Sequence, residues 1–131
     1  MKILIGGNSI DFADRLHEAK EELEIGGHEV SVADSIDDYV AMLSRRAEHS
    51  IVERFSKELA PCDAFLICNY DQQGVKGYIG IGNIMKLNLA HLQGKRIYLL
   101  QDIEPSNEFA LEVYTTRPEI LGGDFSKINQ N

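Results

Sequence analysis

The chain has 131 residues, 44% of them apolar, which is enough material for one packed core without staples or metals. A formal charge of -8 and a pI near 4.9 argue against nucleic acid or an anionic membrane as partner, because such binding needs clustered Lys and Arg to neutralise phosphates. No apolar run approaches the roughly 20 residues that span a bilayer, and Met1 leads straight into a strand pattern, so a cytoplasmic protein with no leader is expected.

Lys2 to Ile5 reads as a buried strand ending at Gly6-Gly7, with Ser9 as N-cap of a helix whose apolar positions are Phe12, Leu16, Ala19 and Leu23. Gly26-Gly27 stops that helix, and Glu29 to Ala33 forms a second strand. Ser35 to Asp38 has capping-box spacing, opening a long helix with Ile36, Val40, Leu43, Ala47, Ile51, Phe55 and Leu59 on one face. Pro61 ends it, and Ala64 to Cys68 has the unbroken apolar character of a central strand.

Ile81, Ile84, Met85, Leu89 and Leu92 mark a third helix, closed by Gly94. Arg96 to Leu100 is a fourth strand, Ser106 caps a fourth helix ending before Pro118, and Glu119 to Leu121 is a short fifth strand. Alternation of this kind predicts an α/β fold: a single doubly wound domain over 1–131, flavodoxin/Rossmann-like, with a five-stranded parallel sheet ordered 2-1-3-4-5. Ligands of such sheets bind beyond the strands' carboxyl ends at the switch point between strands 1 and 3.

Three loops reach that point. Gly6-Gly7-Asn8-Ser9 permits close backbone approach and presents helix N–H groups to a phosphate or sugar hydroxyl, or is an ordinary strand-to-helix turn. Asp34 either holds a ribose hydroxyl or shares the helix cap with Ser35. The segment from Asn69 to Asn83 far exceeds the about 2 to 6 residues of an ordinary βα connection. It offers Tyr70 and Tyr78 to stack on a base, amide side chains to read its edge, the carboxylate Asp71, and glycines including Gly80 and Gly82. The bland alternative is a flexible insertion.

His17, His28, His49 and His91 lack ligand spacing, so no metal is expected, and His91 reads as a half-buried helix residue. Cys62 and Cys68 flank one strand and read as free thiols.

Cys62-Asp63-Ala64 into strand 3, Tyr78-Ile79-Gly80, and a helix with Ala90-His91 closed by Gly94-Lys95-Arg96-Ile97-Tyr98-Leu99-Leu100 resemble the nucleoside 2-deoxyribosyltransferase-like family. Met1 to Val30 and Gly122 to Ile128 resemble its opening and closing segments. The resemblance implies a nucleoside or nucleotide as ligand, no cofactor, and N-glycosidic cleavage or base exchange by a helix glutamate. It also implies a homo-oligomer, with the second helix around Tyr39 and Met42 as candidate interface. A carboxylate suits that chemistry because it stabilises and captures an oxocarbenium-like sugar.

The family's glutamate lies four residues before the helix alanine, here Ala90, so its position is Lys86. No Asp or Glu occurs between Asp71 and Asp102 to supply it by a shift of register. With Asn83 as N-cap, Lys86 falls in the first turn, where the helix dipole favours an acid. Lys86 then either meets an anion, such as a ligand phosphate, Asp71 or Asp34, or is a solvated residue in a decayed site. Two functions remain: a binding protein without catalysis, or an N-glycoside transferase or hydrolase using another carboxylate, Asp71 first. A receiver domain is rejected because Asn69 and Gly6-Gly7 stand where its acids belong, and a flavin carrier because Asn8-Ser9 is poor in hydroxyls.

Overall fold

The computed structural model describes residues 1–33 and 51–128. In chain order these form β1 (Lys2–Gly7), α1 (Ala13–Ile25), β2 (Glu29–Val32), α2 (Ile51–Leu59), β3 (Ala64–Cys68), α3 (Ile81–Leu92), β4 (Arg96–Leu99), α4 (Ala110–Tyr114) and β5 (Glu119–Ile120), then a 3-10 turn (Phe125–Lys127). The sheet is parallel throughout, in the order β2-β1-β3-β4-β5. Pairing of Gly7 with Cys68 brings the carboxyl ends of β1 and β3 together at the switch point. The doubly wound, Rossmann/flavodoxin-like architecture expected from the sequence is therefore present. The Ser35 capping box, Asp34, and the Tyr39 and Met42 positions lie outside the described residues.

Strand alternation sorts the core into two layers. Ile3, Ile5, Leu66 and Tyr98 point to the layer where α1 packs Leu16, Ala19 and Leu23. Leu4, Phe65, Ile67, Ile97 and Leu99 point to the opposite layer, against Phe55 and Leu59 of α2, Ile84, Leu87 and Ala90 of α3, and Val113 of α4. Covering both faces explains why all five residues of β3 are buried and why its sequence shows no polar alternation. Among the described residues, no helix is long and apolar enough to cross a membrane.

Several boundaries differ from the sequence reading. Ser9 does not cap α1, which begins at Ala13 after Phe12. The Asn8 side chain captures the Ile10 and Asp11 N–H groups, both at 3.1 Å, and this turn delays the helix. Ser106 likewise yields to Asn107, whose Oδ1 accepts from Phe109 N at 2.7 Å, so α4 is short. In α3 the packed stripe is Ile84, Leu87 and Ala90, while Ile81 and Leu92 are 73% and 81% exposed. His91 is exposed, not half-buried.

Gly6 stands behind the switch point, where a Cβ would come within 2.7 Å of the fully buried Phe65 ring. Phe65 is held edge-on by Phe55, with centroids 5.1 Å apart, and has no room to retreat. Gly6→Ala should therefore destabilise the protein by about 2 kcal/mol through overpacking, read as a lower urea midpoint at unchanged slope. A cost near zero would mean that the Phe55–Phe65 pair is loosely packed.

Candidate functional site

The turn after β1, the β3–α3 loop and the first two turns of α3 enclose a cleft of about 220 Å³. Gly7, Asn8 and Ser9 line one side of it, and Asn69, Tyr70 and Tyr78 another. Gly80, Gly82, Asn83 and Lys86 supply the α3 side. Ten of the expected site residues thus meet in one place. Gly6 only packs behind it, Asp34 lies outside the described residues, and Asp71 faces elsewhere.

The β3–α3 loop is folded, not a flexible insertion. Gln72 and Val75 exchange backbone hydrogen bonds of 3.1 and 2.9 Å around Gln73 and Gly74, both at positive φ, which is hairpin-turn geometry. Gly77, at φ +64, lies so close to the Asp102 carbonyl that no side chain fits. Asn69, only 2% exposed, fastens the loop to the segment after β4. Its Nδ2 donates to the carbonyls of Gly77 (3.3 Å) and Gln101 (2.8 Å), and its Oδ1 accepts from Gln101 N at 3.1 Å.

These bonds correct several assigned roles. Asn69 is a latch and not a base reader, since its donors are committed to the backbone. The Asn8 amide is committed too: besides its two backbone acceptor bonds it donates to Asp11 Oδ2 at 2.8 Å. Tyr70 cannot stack on a ligand base, because the Arg15 guanidinium lies 3.6 Å from its ring centroid and Phe12 packs at 5.4 Å. Burial raises its phenol pKa above the ordinary value. Tyr78 is half-buried in the cleft wall, and Asn83 Oδ1 accepts no hydrogen bond from any described group.

Asp71 was expected over the cleft, but it lines a separate cavity of about 810 Å³ on the far side of Tyr70. Its Oδ1 accepts from Gly77 N (3.0 Å) and Gln101 Nε2 (2.8 Å), and these bonds lower its pKa. Gln101 and this larger cavity were missed from sequence. The rule that ligands gather at strand carboxyl ends applied equally to the segment after β4, directly beyond Leu99.

Lys86 lines the cleft from α3. The N-cap of α3 is Gly80, not Asn83, because Asn83 N and Ile84 N both donate to Gly80 O at 3.1 Å. Lys86 therefore sits in the second turn, and the argument from the helix dipole against a first-turn lysine does not apply. The residue is only 5% exposed, so it is not a solvated side chain. Its Nζ lies 5.6 Å from the centroid of the Phe55 ring, a cation–π contact from α2. Burial pushes its pKa down from 10.5 to about 8. Among the described residues the cleft lining contains no carboxylate. Cys68, also in the lining, is free, and burial pushes its thiol up to about 12.

Among the described residues, a buried lysine, a helix N-terminus and small polar side chains line this recess. No family model matches the chain, and no curated protein or solved structure is detectably similar to it. The resemblance to nucleoside 2-deoxyribosyltransferases rests on the chain's own residues alone.

Proposed function

We propose that this protein binds a nucleoside 5'-monophosphate or a similar phosphorylated ligand in the cleft between β1 and β3, with Lys86 holding the anion, and does not cleave its N-glycosidic bond. The observation that carries this reading is a lysine buried in the lining of a cleft at the switch point of a doubly wound sheet, beside the N-terminus of α3. A desolvated ammonium attracts a phosphate more strongly than a hydrated one, and the N-terminus of α3 at Gly80 adds its own N–H groups. Among the lining side chains, Ser9, Tyr78 and Asn83 carry polar groups suited to a sugar hydroxyl or a base. At about 220 Å³ the cleft is smaller than the ~300 Å³ at which drug-sized pockets begin, so part of a nucleotide would project beyond it.

The enzymatic alternative loses its best support, since Asp71 is separated from the cleft by Tyr70 and tied to Gly77 and Gln101. Calorimetry with matched nucleosides and 5'-monophosphates, beside chromatography for released base, tests both readings. The monophosphate should bind about 10- to 100-fold tighter than its nucleoside, matching the ~1.5 to 3 kcal/mol of a charge-assisted bond. Lys86→Met should erase that preference. Equal affinity of the wild type for both would remove Lys86 as the anion group, and base release would revive the enzyme.

A further inference from the structure

Beyond the carboxyl end of β4 lies a recess that the nucleotide reading does not use, the cavity of about 810 Å³ on the far side of Tyr70. The buried part of its lining is apolar: Leu100 and Ile103 are 7% and 3% exposed. Carboxylates line its solvent side from three parts of the chain. Glu18 and Glu22 come from α1, Asp71 from the β3–α3 loop, and Asp102 and Glu104 from the segment after β4. We propose that this cavity binds a linear aliphatic polyamine, its methylenes over the apolar floor and its ammonium groups against these carboxylates. The site is separate from the cleft that holds Lys86, and its case does not depend on what that cleft binds.

The charge of the lining is unbalanced. Against the five carboxylates it holds two cations, Arg15 and Lys76, and among the described residues none of these seven side chains is in an ion pair. Arg15 is placed by stacking on Tyr70, 3.6 Å from the ring centroid, and not by a carboxylate. Asp71 Oδ1 is held by Gly77 N and Gln101 Nε2, and Asp102 Oδ1 by Ile103 N at 2.9 Å and the Tyr114 hydroxyl at 2.7 Å. In both residues Oδ2 accepts no hydrogen bond from a described group, so a cation can be met there without breaking the bonds that position the carboxylate.

The spread of the charges selects the class of cation. Among the described residues, no three His, Cys, Asp or Glu side chains converge as the ligands of a metal ion do. Glu18 and Glu22 lie one turn apart on α1, about 5 to 6 Å between Cβ atoms, a separation similar to that of neighbouring amines in a polyamine. An exposed pair of one amine and one carboxylate contributes little, so a monoamine would be held weakly. Several amines on one short chain meet several carboxylates while most of the loss of translational freedom is incurred once. The methylenes between them leave water over Leu100 and Ile103, a gain that a hydrated metal ion does not have.

The test is calorimetry of the full chain with spermidine at pH 7.5, repeated with butylamine and with magnesium chloride at matched ionic strength. Spermidine should saturate one site and bind about tenfold or more tighter than butylamine. Glu18→Gln/Glu22→Gln should weaken it about fivefold or more, whereas Glu112→Gln, at an exposed α4 residue outside the cavity, should change nothing. In amide spectra the shifts at saturation should gather at Gln101, Ile103 and Gly122. Absence of binding would overturn the proposal, and so would saturation shifts confined to other faces. Magnesium binding as tightly as spermidine, or Glu112→Gln weakening binding as much as the double variant, would reduce the effect to diffuse attraction by a chain of charge -8 and overturn it equally. Should the double variant fail to fold, the wild-type affinities and amide shifts decide alone.

Discussion

Asn69→Leu is expected to destabilise the protein by roughly 3 to 5 kcal/mol and to loosen the wall between the cleft and the larger cavity. The substitution keeps the shape of the side chain but removes its polar atoms. It leaves the carbonyls of Gly77 and Gln101 without their donor and Gln101 N without its acceptor. Each buried backbone group orphaned in this way costs ~1 to 3 kcal/mol, reduced where water can reach it. The Gly77 end is fully buried and pressed against the Asp102 backbone, so relaxation there is limited. Asn69→Asp should do at least as much harm, since it turns an oxygen toward both carbonyls. Its deficit should shrink as the pH falls far enough to protonate the new carboxyl. Urea titration gives the cost, and amide exchange at Gly77 and Gln101 shows whether the loop itself has opened. A loss below about 1 kcal/mol would mean that the hairpin turn and the Asp71 bonds hold the loop without Asn69.

The same residue shows what sequence could and could not reveal. The parallel order of the strands was legible because short strand segments, with β3 apolar throughout, are set off by glycine or proline, and because helical spacing recurs between them. The location of the site followed from strand order alone, through Gly7 and Cys68. Side-chain roles did not follow, because an asparagine that latches backbone and one that reads a ligand are identical in sequence. Asn8 and Asn69 are committed to backbone, whereas Asn83 leaves its Oδ1 unmet, and only long-range pairing separates these cases. Tyr70 failed as a stacking platform for a similar reason: Arg15, on α1, occupies its face. Lys86 was misplaced by one helical turn because Asn83 is a favourable capping residue, yet the glycine at position 80 takes that place. Its burial was hidden by its identity, since lysine is among the residues least often found inside a protein.

Lys86→Met is expected to raise stability at pH 7 by about 2 kcal/mol and to flatten the alkaline limb of the stability profile. In the folded chain the amine has a pKa of about 8, against an ordinary lysine value of 10.5. That gap corresponds to ~3 kcal/mol at about 1.4 kcal/mol per pH unit, and losing the contact with the Phe55 ring returns ~1. The sign follows from proton binding. Between about 8 and 10.5 the unfolded chain holds a proton that the folded chain has released, so stability climbs with pH across that window. Below about 8 both states are protonated and the full penalty applies. Methionine fills a similar volume without a charge, so the variant should start higher and show no such climb. Guanidinium titrations of both proteins at pH 7 and at pH 9.5 provide the comparison. A buried charge that weakens the fold fits a residue kept for binding and not for stability. If Lys86→Met proves less stable than the wild type at pH 7, the amine is a net support of the fold. The cleft would then lose the main physical reason for regarding it as a binding site.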